Sequence, residues 1–137
     1  MGVFFDTGVL VAEANEADAL HHKAVELMSQ LSMGLYGNWF CTSDYVFDEA
    51  LTLMFIRTGR MDLSKRLAKR LLSLKSLNLL HVYADIFQES AVQYLSQNGK
   101  LSFTDCTTIE LMKRNEIKFL ATFDAGFNAV SEIKVIA

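Results

Sequence analysis

Along the chain, short apolar runs alternate with longer stretches in which apolar residues recur every three or four positions. The run Val3-Phe4-Phe5 precedes a helical pattern over about 8–33, interrupted near Asn15-Glu16. A second run, Trp39-Phe40-Cys41-Thr42, leads into a helix over about 44–58. Thr58-Gly59-Arg60 makes a turn before a basic amphipathic helix over about 61–76. The stretch 78–83 (NLLHVY) precedes a helix near 86–97, which Gly99 closes as a C′ residue. A helix near 104–115 leads to the run 118–122 (KFLAT), a short helix near 125–131 and a last strand at 134–136. Strands separated by helices imply parallel pairing and an α/β sandwich. There is no proline, low-complexity segment or internal repeat, so residues 1–137 are read as a single domain.

Composition narrows the class. With 137 residues, 51% hydrophobic and 21% charged, the chain can bury one core and is not disordered. No apolar run reaches the roughly 18 residues of a membrane span, and the N-terminus lacks the basic and apolar regions of a signal peptide. Cys41 and Cys106 have neither metal-ligand nor disulfide spacing, so reduced core thiols and a cytoplasmic protein are expected. The net charge of −3 argues weakly against a general nucleic-acid binder, but it hides an asymmetry. Residues 1–49 hold eight acids and one base, Lys23, whereas residues 57–75 hold seven bases and one acid, Asp62.

Four acids need an explanation. Asp6 lies in Asp6-Thr7-Gly8, the tripeptide of aspartic proteases, but those are all-β proteins and here strong helix formers follow at once. Asp6 therefore stands at the carboxyl end of a first parallel strand, where open α/β sheets place their sites, or it caps the next helix. Glu49 has Val46, Leu53 and Ile56 at −3, +4 and +7, which puts it on the apolar, core-facing stripe of its helix with no base nearby. A carboxylate so placed is costly unless it is paired, protonated or bound to a cation. Asp44 and Asp48 fall on another face and read as solvated or first-turn acids. Asp105 falls in the first turn of a helix capped by Ser102 or Thr104, where the helix dipole alone could explain it. Asp124 follows the run 118–122, where an ordinary turn aspartate is the alternative. As a set, the four can converge at one edge of a parallel sheet. Converging carboxylates repel unless a cation is present, and an all-oxygen set without His or Cys suits Mg²⁺ or Mn²⁺.

With these residues in place, the chain resembles the PIN-domain nucleases, and among them the VapC toxins of prokaryotic toxin–antitoxin pairs. The resemblance spans essentially the whole chain. It is carried by FFDTGVLVA with Asp6, DALHHKA (18–24), TSDYVFDEAL with Glu49, LSFTDCTTIELMKR with Asp105 and FLATFDAGF with Asp124. It implies a five-stranded parallel sheet in the order 3-2-1-4-5 and a Mg²⁺ or Mn²⁺ site built by Asp6, Glu49, Asp105 and Asp124. It also implies hydrolysis of single-stranded RNA with no covalent enzyme intermediate. By the same resemblance Thr104 and Thr122 support the metal shell. His21 fits the family pattern, but it reads as an exposed or capping residue and is given no catalytic role. A homodimer and a separate antitoxin protein are further implications. The basic helix offers Arg66, Lys69 and Arg70 either as RNA phosphate contacts or as an ordinary solvated face. Two other readings compete. A haloacid-dehalogenase-type phosphotransfer site needs a second Asp where this chain has Gly8. An inert PIN fold, serving as an RNA-binding or protein-interaction module, would be favoured by loss of an acid, and all four are present.

Overall fold

The computed structural model describes residues 2–137. Its elements are β1 (Val3–Phe5), α1 (Thr7–Ala14), α2 (His21–Ser32), β2 (Phe40–Ser43), α3 (Asp44–Thr58) and α4 (Met61–Ser73). They continue as β3 (Leu77–Leu80), α5 (Ala84–Ser96), α6 (Phe103–Arg114), β4 (Phe119–Ala121), a 3₁₀ turn (Ala125–Ala129) and β5 (Lys134–Ile136). The five strands form one parallel sheet in the order β3-β2-β1-β4-β5. The expected strand order is thus present.

The central strand explains the rest. All three residues of β1 are buried, as they must be in a strand covered on both faces. Helical crossovers carry the chain from β1 through β2 to β3 and then back past β1 to β4; with the right-handed sense general to parallel connections, this reversal puts helices on both faces. On one side α1 packs against α2 and α3, and α3 against α4; on the other α5 packs against α6. The reversal of winding occurs between β1 and β4, and a crevice opens there beyond the carboxyl ends of the strands.

Local chemistry sets the element ends. The Ser43 hydroxyl accepts from Val46 N–H at 3.0 Å and starts α3. Gly59, at φ 66°, ends α3 in the left-handed conformation that glycine adopts without steric cost. Ser64, Leu67 and Leu71 form the buried stripe of α4, and the Ser64 hydroxyl donates to Leu51 O at 2.9 Å, fastening α4 to α3. Two details differ from expectation. Helix α5 ends at Ser96 with Gln97 as its cap, so Gly99 (φ 82°) lies one residue beyond the C′ position. The basic helix stops at Ser73, before Lys75.

Cys41 and Cys106 are free and buried, and burial pushes the Cys41 thiol up to about 12. Among the described residues, no helix is long and apolar enough to cross a membrane.

Candidate metal centre

All four singled-out acids line one cleft of about 400 Å³ at the reversal point of the sheet. Asp6 leaves the end of β1, Asp124 follows β4, Glu49 comes from α3, and Asp105 from the first turn of α6. Thr7, Gly8, Asp18, Leu20, Leu53, Arg57, Ser102 and Phe123 complete the walls.

Asp6 is 6% exposed and precedes α1 with extended backbone, but its carboxylate makes no capping bond to that helix. Its Oδ2 accepts instead from the buried Thr122 hydroxyl at 2.6 Å. The same Thr122 oxygen accepts from Asp124 N–H at 3.0 Å, so one side chain ties the exits of β1 and β4 together. Burial pushes the Asp6 carboxyl up to about 6; Thr122 and the Thr7 backbone oppose this, and Asp105 and Glu49 add to it.

Asp105 combines two roles. Ser102 Oγ accepts from Asp105 N–H at 3.0 Å while Asp105 Oδ2 accepts from Ser102 N–H at 2.9 Å, a complete capping box. Its carboxyl is nevertheless raised, chiefly by burial and further by Asp124 and Glu49, against the bonds from Ser102. Asp124 is exposed, and its Oδ1 accepts from Gly126 N–H at 2.8 Å.

Glu49 corrects the sequence reading. The buried face of α3 is Val46, Ala50 and Met54, while Ile56 is 71% exposed. Glu49 is half-buried at the margin of that face and looks into the cleft rather than into the core. An apolar neighbour at +7 misled because a helix facing a cleft turns one flank of its stripe to solvent.

Other expected contributors divide. Thr122 supports Asp6 directly. Thr104 does not line the cleft; its carbonyl accepts from the Thr107 hydroxyl at 2.6 Å, and Ser102 holds the lining position. Arg66 and Lys69 are exposed on α4, but Arg70 is paired with Glu13 at 2.5 Å. His21 Nδ1 lies 2.8 Å from Ala12 O near the end of α1, the capping role expected. Arg57 and Asp18 were not singled out as site residues. Arg57 was legible: it stands four and eight residues after Leu53 and Glu49, hence on the same helix face.

The donor set fits a hard divalent cation. Asp6, Asp105 and Asp124 each use one carboxylate oxygen for a protein hydrogen bond and leave the other uncommitted. The Thr7 hydroxyl, buried in the cleft wall, has no protein partner. As they stand, no three His, Cys, Asp or Glu side chains among the described residues form a ready-made ligand cluster. That arrangement suits only an ion that keeps several waters and takes one or two carboxylates directly.

A family model described as PIN domain matches residues 3–133. Over 135 residues the chain is 29% identical to the 23S rRNA-specific endonuclease VapC20 of Mycobacterium tuberculosis, covering 97% of each protein. The crystal structure of that protein, described as a Sarcin-Ricin loop cleaving toxin, superposes with a TM-score of 0.84 at 26% identity, covering 94% of this chain and 95% of that one. VapBC2 from Rickettsia felis, bound to a DNA fragment from its promoter, shares the fold at TM-score 0.67 and 14% identity, covering 99% of this chain and 98% of that chain. A toxin–antitoxin complex from Klebsiella pneumoniae does so at TM-score 0.62 and 14% identity, with 98% and 96% covered.

Proposed function

The chain belongs to the PIN domain family, and from that premise we propose that it is a Mg²⁺- or Mn²⁺-dependent endoribonuclease of single-stranded RNA, the toxin of a toxin–antitoxin pair. The observation that carries this reading is the convergence of Asp6, Glu49, Asp105 and Asp124 on one cleft whose buried carboxyls are raised by burial and by one another. A cleft that disfavours its own anions is one that a cation stabilises. Similarity to an rRNA endonuclease over nearly the full length of both chains points to RNA as the substrate class.

Each residue has a distinct task. Asp6 and Asp105 would hold the ion, with Glu49 and Asp124 completing the site. Thr122 fixes Asp6 against the Asp124 backbone, so that two strand ends keep their spacing while the ion is bound. Mg²⁺ or Mn²⁺ would supply an activated water and charge stabilisation for phosphodiester hydrolysis.

The family likeness also supports a protein partner, an antitoxin encoded separately. Exposed Phe87, Val92, Tyr94 and Leu95 along α5 give a homodimer an apolar face to bury. Two buried free thiols and an RNA substrate support a cytoplasmic location.

The test is direct. Purified protein with Mn²⁺ cuts a single-stranded RNA, EDTA stops the reaction and excess Mn²⁺ restores it. Cleavage undiminished by EDTA would refute the mechanism.

A further inference from the structure

We infer that Arg57 is the cleft's phosphate anchor, holding the RNA phosphate that flanks the one cleaved, and that Asp18 positions it. This rests on the ribonuclease reading of the cleft.

An acid-lined site repels the strand it cuts, and a bound ion offsets that only at the scissile phosphate. The neighbouring phosphate needs its own cation. Among the described residues lining the cleft, Arg57 is the one permanently charged base. It shares a face of α3 with Glu49, two turns or about 12 Å along the axis, and helical side chains lean back toward the N-terminus, here toward Glu49.

Asp18 is a built mount rather than a passing partner. Its side chain is 9% exposed, and its Oδ1 accepts from Leu20 N–H at 2.9 Å. Its Oδ2 accepts from Arg57 Nη1 at 3.0 Å. Both oxygens are therefore committed, while the Arg57 side chain is 47% exposed and its guanidinium keeps most of its five N–H donors for a ligand. This gives the acidic residue of DALHHKA (18–24) a role that the metal site alone does not.

Asp18, Leu20 and Arg57 also form the wall of a second, wider basin that contains Arg60 and Arg66. A strand leaving the acids past Arg57 enters this basin. Lys69 and Arg70 line neither depression. The phosphate track accordingly runs Arg57 to Arg66 and not along Arg66, Lys69 and Arg70.

Arg57→Ala, Arg57→Lys and Asp18→Asn can be compared with wild type for Mn²⁺ affinity by calorimetry, single-stranded RNA affinity against salt in EDTA, and kcat/KM with Mn²⁺. Arg57→Ala should weaken RNA binding about tenfold and flatten the salt slope by about 0.7, with Mn²⁺ affinity within about twofold of wild type. Arg57→Lys should restore the slope but not the full kcat/KM. Asp18→Asn removes a negative charge, so an acid that merely repels or ties loops together predicts equal or better RNA handling. The positioning role predicts the opposite, a kcat/KM about tenfold lower with the salt slope intact. Should Arg57→Ala fail to fold, Arg57→Gln carries the same readings.

Wild-type slope and affinity in the Arg57 variant, or Asp18→Asn at or above wild-type kcat/KM, overturn the inference while leaving the ribonuclease reading standing. A wild-type protein that neither binds Mn²⁺ nor cuts RNA refutes that reading instead, and the inference with it.

Discussion

Helix α6 carries two buried carboxylates, Asp105 and Glu110, in opposite surroundings. Glu110 is 2% exposed and accepts from Arg114 Nε at 2.8 Å and from Gln93 Nε2 at 3.1 Å. Arg114 also reaches Asp85 at 2.7 Å, so at this end of the helix one guanidinium bridges two carboxylates. Asp105, 7% exposed, has only its capping partner Ser102, and its other near neighbours are the acids Asp124 and Glu49. One turn and a half of helix thus separates a carboxylate partnered by an arginine from one set among other acids. A buried acid alone does not mark a site; a buried acid among acids does.

The comparison breaks if both acids behave alike. In RNA cleavage Asp105→Asn should lower the rate by about 100-fold or more, the scale of losing one transition-state charge stabiliser, while Glu110→Gln stays within a few-fold of wild type. Similar losses in both would mean that α6 acts through its stability and not through Asp105.

Stability should show the reverse asymmetry. Glu110→Ala strands Gln93 and Arg114 and should cost about 2 kcal/mol in urea unfolding, less than a fully buried pair because Arg114 is 41% exposed. No loss would show that the network contributes nothing.

Asp6 sharpens the contrast through pH. Its carboxyl is raised from 3.8 to about 6, so between these values the folded protein binds more protons than the unfolded chain. Metal-free stability from this group is therefore unaffected below 3.8, falls as pH rises, and is lowest above 6. Asp6→Asn retains an acceptor for Thr122 but cannot ionise. In EDTA, the variant's stability advantage should grow by roughly 1.5 kcal/mol from pH 5 to 7.5. A constant gap would remove Asp6 from the strained cluster.

How far the site could be read from the sequence depended on the range of the interactions. Val3–Phe5 and Lys134–Ile136 were legible as strands, and 44–58 as a helix, because apolar runs and local propensity decide them. Ser102 as a cap was equally local. The convergence of Asp6 with Asp124 was an expectation from topology and resemblance, since the bond from Thr122 to Asp6 joins residues 116 apart in sequence and leaves no local mark. Glu49 was picked out by a stripe whose orientation was misjudged, because Ile56 is exposed and the core face is set by Ala50 and Met54. The roles of Arg70 and Arg57 depended on Glu13 and Asp18, partners distant in sequence. Charge counts along α4 could not separate a paired arginine from a free one.

The central claim is that the four acids form a cation site and not a structural cluster, and Glu49→Gln tests it most directly. The substitution keeps the shape and removes one charge. Thermal melts of wild type and variant, each in EDTA and in Mn²⁺, should show wild type gaining about 2.7 kcal/mol at 100 times the dissociation constant. The variant should match or slightly exceed wild type in EDTA and lose most of the Mn²⁺ gain. A wild type indifferent to Mn²⁺, or a variant about 3 kcal/mol less stable in EDTA, as a broken buried pair would be, contradicts the account.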